Sequence, residues 1–151
     1  MGKHADSRPP LSDAEWEVMK ALWSDGDMAL GDIFGRLKDS DWAYSTVKTL
    51  VRRLVDKGWI AYREVGNSFL YRAAVPRERA VRGAVREFSR RVLDGVLSPF
   101  VAYYAEEGEL SEEDLARLEE LVRRQRALLE KDAATEDLMS RQRKRKGGQG
   151  R

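Results

Sequence analysis

No cysteine occurs anywhere in this 151-residue chain. Disulfides, thiol catalysis and cysteine-built metal or redox sites are excluded, and the composition suits a reducing compartment. Histidine is nearly as scarce, with His4 the only one. A histidine-dependent catalytic triad or a histidine-rich zinc site has almost nothing to be built from. Apolar runs are short. None approaches the roughly 20 residues that span a bilayer, so no membrane insertion is expected. The opening MGKHADSRPP lacks the apolar centre of a signal peptide. The chain therefore reads as cytoplasmic. No Gly-rich phosphate loop, nucleophile–base pair or metal-ligand spacing is present. An enzyme is not expected, and neither is a cofactor or a metal. Acidic pairs such as Glu106-Glu107 and Glu112-Glu113 read as solvated faces and helix N-terminal charges.

Charge, by contrast, is plentiful. Lys and Arg number 28 against 26 Asp and Glu, a formal net charge of only +2. The distribution says more than the total. Between Leu11 and Trp42 there are three Lys/Arg against eight Asp/Glu, a balance of −5. Between Ala43 and Val75 there are six against two, a balance of +4.

That basic step falls on the most informative stretch, YSTVKTLVRRLVDKGWIAYREVGNSFLY, from Tyr44 to Tyr71. Val47, Leu50, Val51, Leu54 and Val55 recur at helical spacing. Ser45, Thr46, Lys48, Thr49, Arg52 and Arg53 occupy most of the opposite side. Lys57-Gly58 ends the helix, because glycine takes the left-handed cap conformation. Two extended runs follow, Trp59 to Val65 and Ser68 to Ala73, around a Gly66-Asn67 turn. A helix with a basic, hydroxyl-bearing outer face followed by a short hairpin is the arrangement with which a winged helix reads DNA. The polar face enters the major groove while the hairpin touches phosphate or minor groove beside it.

The rest of the chain can be organised around this segment. Residues 1–10 read as a flexible N-terminal arm. Ser12 and Glu15 form a capping box for a helix running to about Ser24 that buries Val18, Met19 and Leu22. Leu30, Ile33, Phe34 and Leu37 mark a second helix. The winged-helix domain therefore spans 11–75. Pro76 suits a helix start. Residues 77–97 carry Val81, Val85, Phe88, Val92 and Val96 at spacings of three or four. Ser98-Pro99 breaks this run, with Ser98 placed to cap a short apolar helix from Phe100 to Ala105. Leu110-Ser111-Glu112-Glu113-Asp114 repeats the capping logic. A last helix, about 112–131, carries Leu115, Leu118, Val122 and Leu129. These helices cannot bury their apolar faces alone. They either pack back on the winged helix or, the preferred reading, pair with a second chain. Val85, Phe88, Val92, Phe100, Tyr104, Leu115, Leu118 and Val122 would then line a dimer seam in region 76–131. Residues 132–151 lose the pattern and read as a disordered basic tail. Its RQRKRK, Arg141 to Lys146, adds either phosphate attraction or only solubility. The fold class expected is mostly α with a small β-hairpin wing: an N-terminal winged helix-turn-helix plus a C-terminal helical dimerisation arm.

Four segments carry a resemblance. They are LSDAEWEVMKALW, TVKTLVRRLVDKGWI, the wing followed by YRAAVPRE, and LSPFVAYYAEEGELSEEDLARLEELV. Together they resemble the penicillinase-repressor (BlaI/MecI) family of bacterial winged-helix repressors, from about Leu11 to Leu129. The resemblance implies a homodimer on an inverted-repeat operator of double-stranded DNA that blocks transcription. It also implies a regulatory partner, a membrane sensor protease that detects β-lactams and triggers cleavage in the dimerisation region. It puts DNA contacts on Ser45, Thr46, Lys48, Thr49 and Arg52, and wing contacts on Arg63 and Asn67. Trp42 and Tyr71 match family aromatics, in packing or in DNA contact. Three departures stand out. Ala43 and Tyr44 occupy the helix start where the family often has serine and then proline. Asn67 replaces a frequent arginine at the wing tip. The family's cleavable Asn-Phe bond falls at Tyr103-Tyr104. A copper-responsive branch senses metal through C-terminal cysteines, which this chain lacks. A second reading, a winged-helix module that binds protein without sequence-specific DNA binding, fits the acidic first half.

Overall fold

In the computed structural model, which describes residues 8–148, the first helix opens on the capping box its sequence spells. The Glu15 amide donates to Ser12 Oγ at 3.3 Å, and the Ser12 amide donates to Glu15 Oε2 at 2.9 Å. This helix, α1, spans Asp13–Asp25 and buries Val18, Met19 and Leu22. A two-residue strand β1, Met28–Ala29, leads into α2, Leu30–Arg36. A 3₁₀ turn, Lys38–Ser40, connects to α3, Tyr44–Asp56. Strands β2 (Ile60–Val65) and β3 (Ser68–Ala73) follow. Three further helices are α4 (Arg77–Val92), α5 (Ser98–Glu106) and α6 (Glu112–Gly147).

The hairpin expected from the sequence is present, and it is one strand larger than a hairpin. The sheet is antiparallel in the order β1-β3-β2. Met28 pairs with Tyr71, and Ile60 with Ala73. A strand of two residues has too little length for a period-2 pattern, so its sequence gives no strand signal. Val65 pairs with Ser68 around Gly66-Asn67, with Gly66 at φ 61°. Glycine at positive φ in the first turn position suits the twist of the two strands.

The core lies among α1, α2, α3 and the sheet. Val18, Met19, Ile33, Val47 and Leu54 are fully buried. Trp23 donates its indole N–H to the Val75 carbonyl at 2.8 Å. The same core continues past Val75 to Ala80 in the first turn of α4. By its internal contacts the chain forms two compact units, one ending at Gly95 and the other beginning at Val96.

The structure corrects several expectations. The helix after Pro76 ends at Val92 rather than near residue 97. The break is Asp94-Gly95, both at positive φ (47° and 78°), with the Gly95 amide returning to the Ser89 carbonyl at 3.0 Å. Ser98 is then the first residue of α5, with Leu97 at the cap and no side-chain cap bond. The last helix does not stop near residue 131. It continues to Gly147, so the described part of the expected disordered tail, 132–148, is helical almost throughout. Its capping box, Ser111 with Asp114, matches the sequence signal. Residues 8–10 of the expected flexible arm are pinned. The Trp59 indole donates to the Pro9 carbonyl at 2.9 Å, and Arg8 Nε donates to the Gly58 carbonyl at 3.0 Å. Residues 1–7 of that arm and 149–151 of the tail lie outside the described residues.

Candidate nucleic-acid interface

Helix α3 is divided cleanly between its two sides. Val47, Leu50, Val51 and Leu54 are buried, while Val55 is partly buried beside them. Ser45, Thr46, Lys48, Thr49, Arg52 and Arg53 are all exposed. Ser45, Lys48, Thr49 and Arg52 stand at i, i+3, i+4 and i+7, so they form one line along the helix. At 1.5 Å per residue that line is about 10 Å long, roughly three base-pair steps at 3.4 Å each. Thr46 and Arg53 flank it, also seven residues apart.

The cations of this face are unneutralised. Among the described residues, no carboxylate forms an ion pair with Lys48, Arg52, Arg53, Arg63 or Arg72. Arg36, just outside this surface, is by contrast held by Asp25. The hydroxyls differ in freedom. Thr49 donates its Oγ1 hydrogen to the Ser45 carbonyl at 2.9 Å. Its methyl and its oxygen lone pairs remain for a partner, which suits a thymine methyl contact or an accepted bond.

The two ends of α3 are held differently. At its start, Ala43 supplies no side-chain cap. The helix dipole there is open to an anion. Tyr44 stacks edge-on against Phe34, with ring centroids 5.3 Å apart at 77°. At its far end, Gly58 takes φ 82°, and the Trp59 amide reaches back to the Leu54 carbonyl at 2.9 Å. Lys57 there donates to Glu15 Oε2 at 2.7 Å and to the Pro10 carbonyl at 3.2 Å. Glu15 is 2 % exposed. Burial by itself pushes its carboxyl up. The hydrogen bonds from Lys57 and the Ser12 amide, together with the Lys57 charge, outweigh burial and hold it below its ordinary value. The ion pair thus ties the end of α3 to the first turn of α1.

The wing places its cations on one side. Register sets Arg63 opposite Leu70 and Arg72 opposite Ala61. Alternation then puts Arg63 and Arg72 on the same face, diagonal to each other. The other face carries Tyr62, Phe69 and Tyr71, with the Tyr62 ring against the rings of both Phe69 and Tyr71. Asn67 is exposed at the tip. Arg72 is absent from the contacts expected from the sequence. The signal that finds it is register, which the residues alone do not fix. Trp42 and Tyr71 are partly buried against the core, which gives both a packing role. Burial, with Tyr62 and Tyr44 nearby, pushes the Tyr71 hydroxyl above its ordinary value, so it stays neutral.

The residues expected at a dimer seam present apolar surface. Val85 is 59 % exposed and Val92 55 % on α4; Leu115 and Val122 are 46 % and 50 % exposed on α6. Phe88 and Leu118 are exposed less, at 37 % each. Phe100 and Tyr104 pack together on α5, with centroids 5.0 Å apart. Tyr103 and Tyr104, where the resemblance puts the family's cleavable bond, both lie inside α5. Among the described residues no His, Cys, Asp or Glu cluster could hold a metal ion, and no helix is long and apolar enough to cross a membrane.

Comparison with known proteins gives several matches. A family model described as "Penicillinase repressor" matches residues 11–124. A Latilactobacillus sakei protein described as an uncharacterized 16.5 kDa protein in the ptsI 3' region is 31 % identical over 119 residues, covering 78 % of this chain and 82 % of its own. The penicillinase repressor of Bacillus licheniformis is 29 % identical over 115 residues, covering 76 % and 90 %. A solution structure of the monomeric form of Bacillus licheniformis BlaI with the blaP half-operator is 30 % identical, with a TM-score of 0.42, covering 46 % of this chain and 87 % of that one.

Proposed function

The chain belongs to the penicillinase repressor family, and from that premise we propose that it is a homodimeric, sequence-specific repressor of inverted-repeat operators. Family members are DNA-binding regulators and not enzymes, so the chemistry to explain is recognition. The observation that carries the reading is the exposed, unneutralised line Ser45, Lys48, Thr49 and Arg52 on a helix whose other side is locked in the core.

Each side chain has a role in this reading. Lys48 and Arg52 reach guanine edges or phosphates, and Arg is the better of the two at bidentate contact. Thr46 and Thr49 meet thymine methyls or phosphates, and Ser45 sits by the open start of the helix. Arg63, Asn67 and, from the register, Arg72 grip phosphate or the minor groove beside it. Two copies of α3 then lie about one helical turn apart, roughly 34 Å. The exposed apolar stripes of α4, α5 and α6 supply the homodimer contact. The work is done in the cytoplasm, on double-stranded DNA.

Relief of repression by proteolysis follows the same family logic. Here the corresponding bond, Tyr103-Tyr104, lies in the interior of α5. A protease must unwind that helix before cutting, so an opened α5 is the substrate. Incubation with the cognate protease, read by intact mass, is expected to give a fragment ending at Tyr103. Cleavage elsewhere would move the regulated bond.

The test of the main reading is selection of bound duplexes from a random DNA pool by the full chain at near-physiological salt. An enriched inverted repeat is the expected result. Binding without enrichment would reduce the protein to a nonspecific DNA binder, and no binding would leave a protein-interaction module.

A further inference from the structure

The match to the family model ends at residue 124, yet α6 runs on unbroken to Gly147. At 1.5 Å per residue, this carries its last basic turn about 30 Å along the helix axis from the end of the match. The added length is not uniform in charge. Up to Asp137, cations on α6 are interleaved with carboxylates, and three of the five, Arg117, Arg123 and Arg124, pair with them. Arg117 meets Glu113, and both Arg123 and Arg124 meet Glu120. Arg141 pairs with Asp137 at 2.9 Å. Beyond Asp137 the helix holds no acidic residue. Arg143, Lys144, Arg145 and Lys146 consequently have no carboxylate partner among the described residues.

The geometry of these four is informative. Successive residues of a helix are turned by about 100°, so positions 143 to 146 spread around its whole circumference. A collar of charge cannot present one shaped face. It suits a partner that demands charge and little geometry, and a nucleic-acid phosphate backbone is such a partner. Cations at this end of a helix are also favoured by its dipole, which accounts for their tolerance there but not for the loss of every carboxylate.

We propose that the basic collar at the distal end of α6 binds DNA phosphates flanking the operator, independent of base sequence. The proposal rests on the operator-binding reading above. It adds a second anchoring point to that reading and no new base contact. The collar lengthens the footprint, steepens the salt dependence and favours long duplexes over minimal ones.

The test uses the full chain and its quadruple variant, Arg143→Gln, Lys144→Gln, Arg145→Gln and Lys146→Gln. Glutamine keeps helix propensity close to that of Lys and Arg. Each protein is titrated against the selected operator with minimal flanks and against the same operator with long flanks, over a range of salt. On the minimal duplex the two proteins are expected to bind alike. On the long duplex the variant is expected to bind about tenfold more weakly. Its log–log salt slope should be shallower by about 0.9 for each phosphate that is no longer neutralised, up to about 3.6 per chain. Parallel slopes on the long duplex, or tighter binding by the variant, would overturn the proposal while leaving operator binding intact. Failure of both proteins on the minimal duplex would instead sink the operator reading itself. Vesicles of equimolar phosphatidylcholine and phosphatidylglycerol form a further arm. Capture of the parent but not the variant by vesicles, with no flank effect on DNA, would assign the collar to a membrane surface and overturn the DNA proposal.

Discussion

Val47 and Val85 each stand on the apolar stripe of an amphipathic helix, yet one is 0 % exposed and the other 59 %. The contrast holds region against region. In the winged helix, stripes on α1, α2 and α3 meet one another and the sheet, and their apolar side chains leave water. In α4, α5 and α6 stripes of similar quality stay largely solvated: only Ala80 is buried on α4, and none on α5 or α6. The pattern of apolar residues specifies a face that needs covering. It does not specify what covers it. At about 25 cal/mol per Å² of apolar surface, stripes of this size are unfavourable to leave in water. Some cover is therefore favoured, and the homodimer proposed above would supply one.

The comparison is broken most severely by attacking the exposed stripes. Leu118→Glu with Val122→Glu should leave the fold unchanged, because neither side chain is buried. If these stripes form the dimer, sedimentation should show a monomer. Affinity for the full operator should fall about 100-fold or more, since the two half-sites are no longer engaged together. A variant that stays dimeric would return these stripes to another use.

The next effect concerns the buried side of the comparison. Leu54→Ala on α3 should cost about 2–5 kcal/mol in a denaturant melt, because its side chain is fully buried. Leu138→Ala, 61 % exposed on α6, should stay within about 0.5 kcal/mol. Equal costs would mean that the distal half of α6 is packed in solution.

Lys48→Ala and Arg52→Ala sharpen the division within α3 itself. Each should weaken operator binding by about 1–3 kcal/mol with no change in melting behaviour. Normal affinity in both would remove this helix from the reading role.

The smallest effect expected is that of Glu15→Gln. It should cost about 1–2 kcal/mol at neutral pH, because the charge-assisted bond to Lys57 is removed. The sign of the pH dependence follows from the lowered carboxyl. The Glu15 contribution is fully present above its ordinary value of 4.5 and is lost as pH falls through the lower folded value. Stability profiles of parent and variant should therefore converge below that point. A constant difference across acid pH would show that the ion pair is not its source.

Much of this molecule is written locally. The capping boxes at Ser12 and Ser111, the two-sided pattern of α3, its Gly58 stop and the Gly66-Asn67 turn depend on neighbours within a few residues, so they are legible in order. Strand β1 is not, because two residues show no alternation and pair only once β3 is beside them. The end of α4 is legible only in retrospect. Asp94-Gly95 carries the stop, while Ser98-Pro99 attracts attention with a proline that a helix accepts in its first turn. The length of α6 is hidden by the loss of apolar spacing after Leu129. A helix exposed all round needs no stripe, and charge pairs such as Arg141 with Asp137 mark it instead.

By itself the sequence determined which faces are apolar, where helices can start, and that a helix with a basic outer face precedes a wing. These follow from short-range sterics, capping and periodicity. Only the tertiary structure decided that Glu15 and Lys57 meet across 42 positions, that Pro9 and Arg8 brace the end of α3, and that Arg72 joins Arg63 on one face of the wing. Those facts depend on register and on contacts between distant segments. Many pairings of such segments satisfy the same local pattern, and packing selects one.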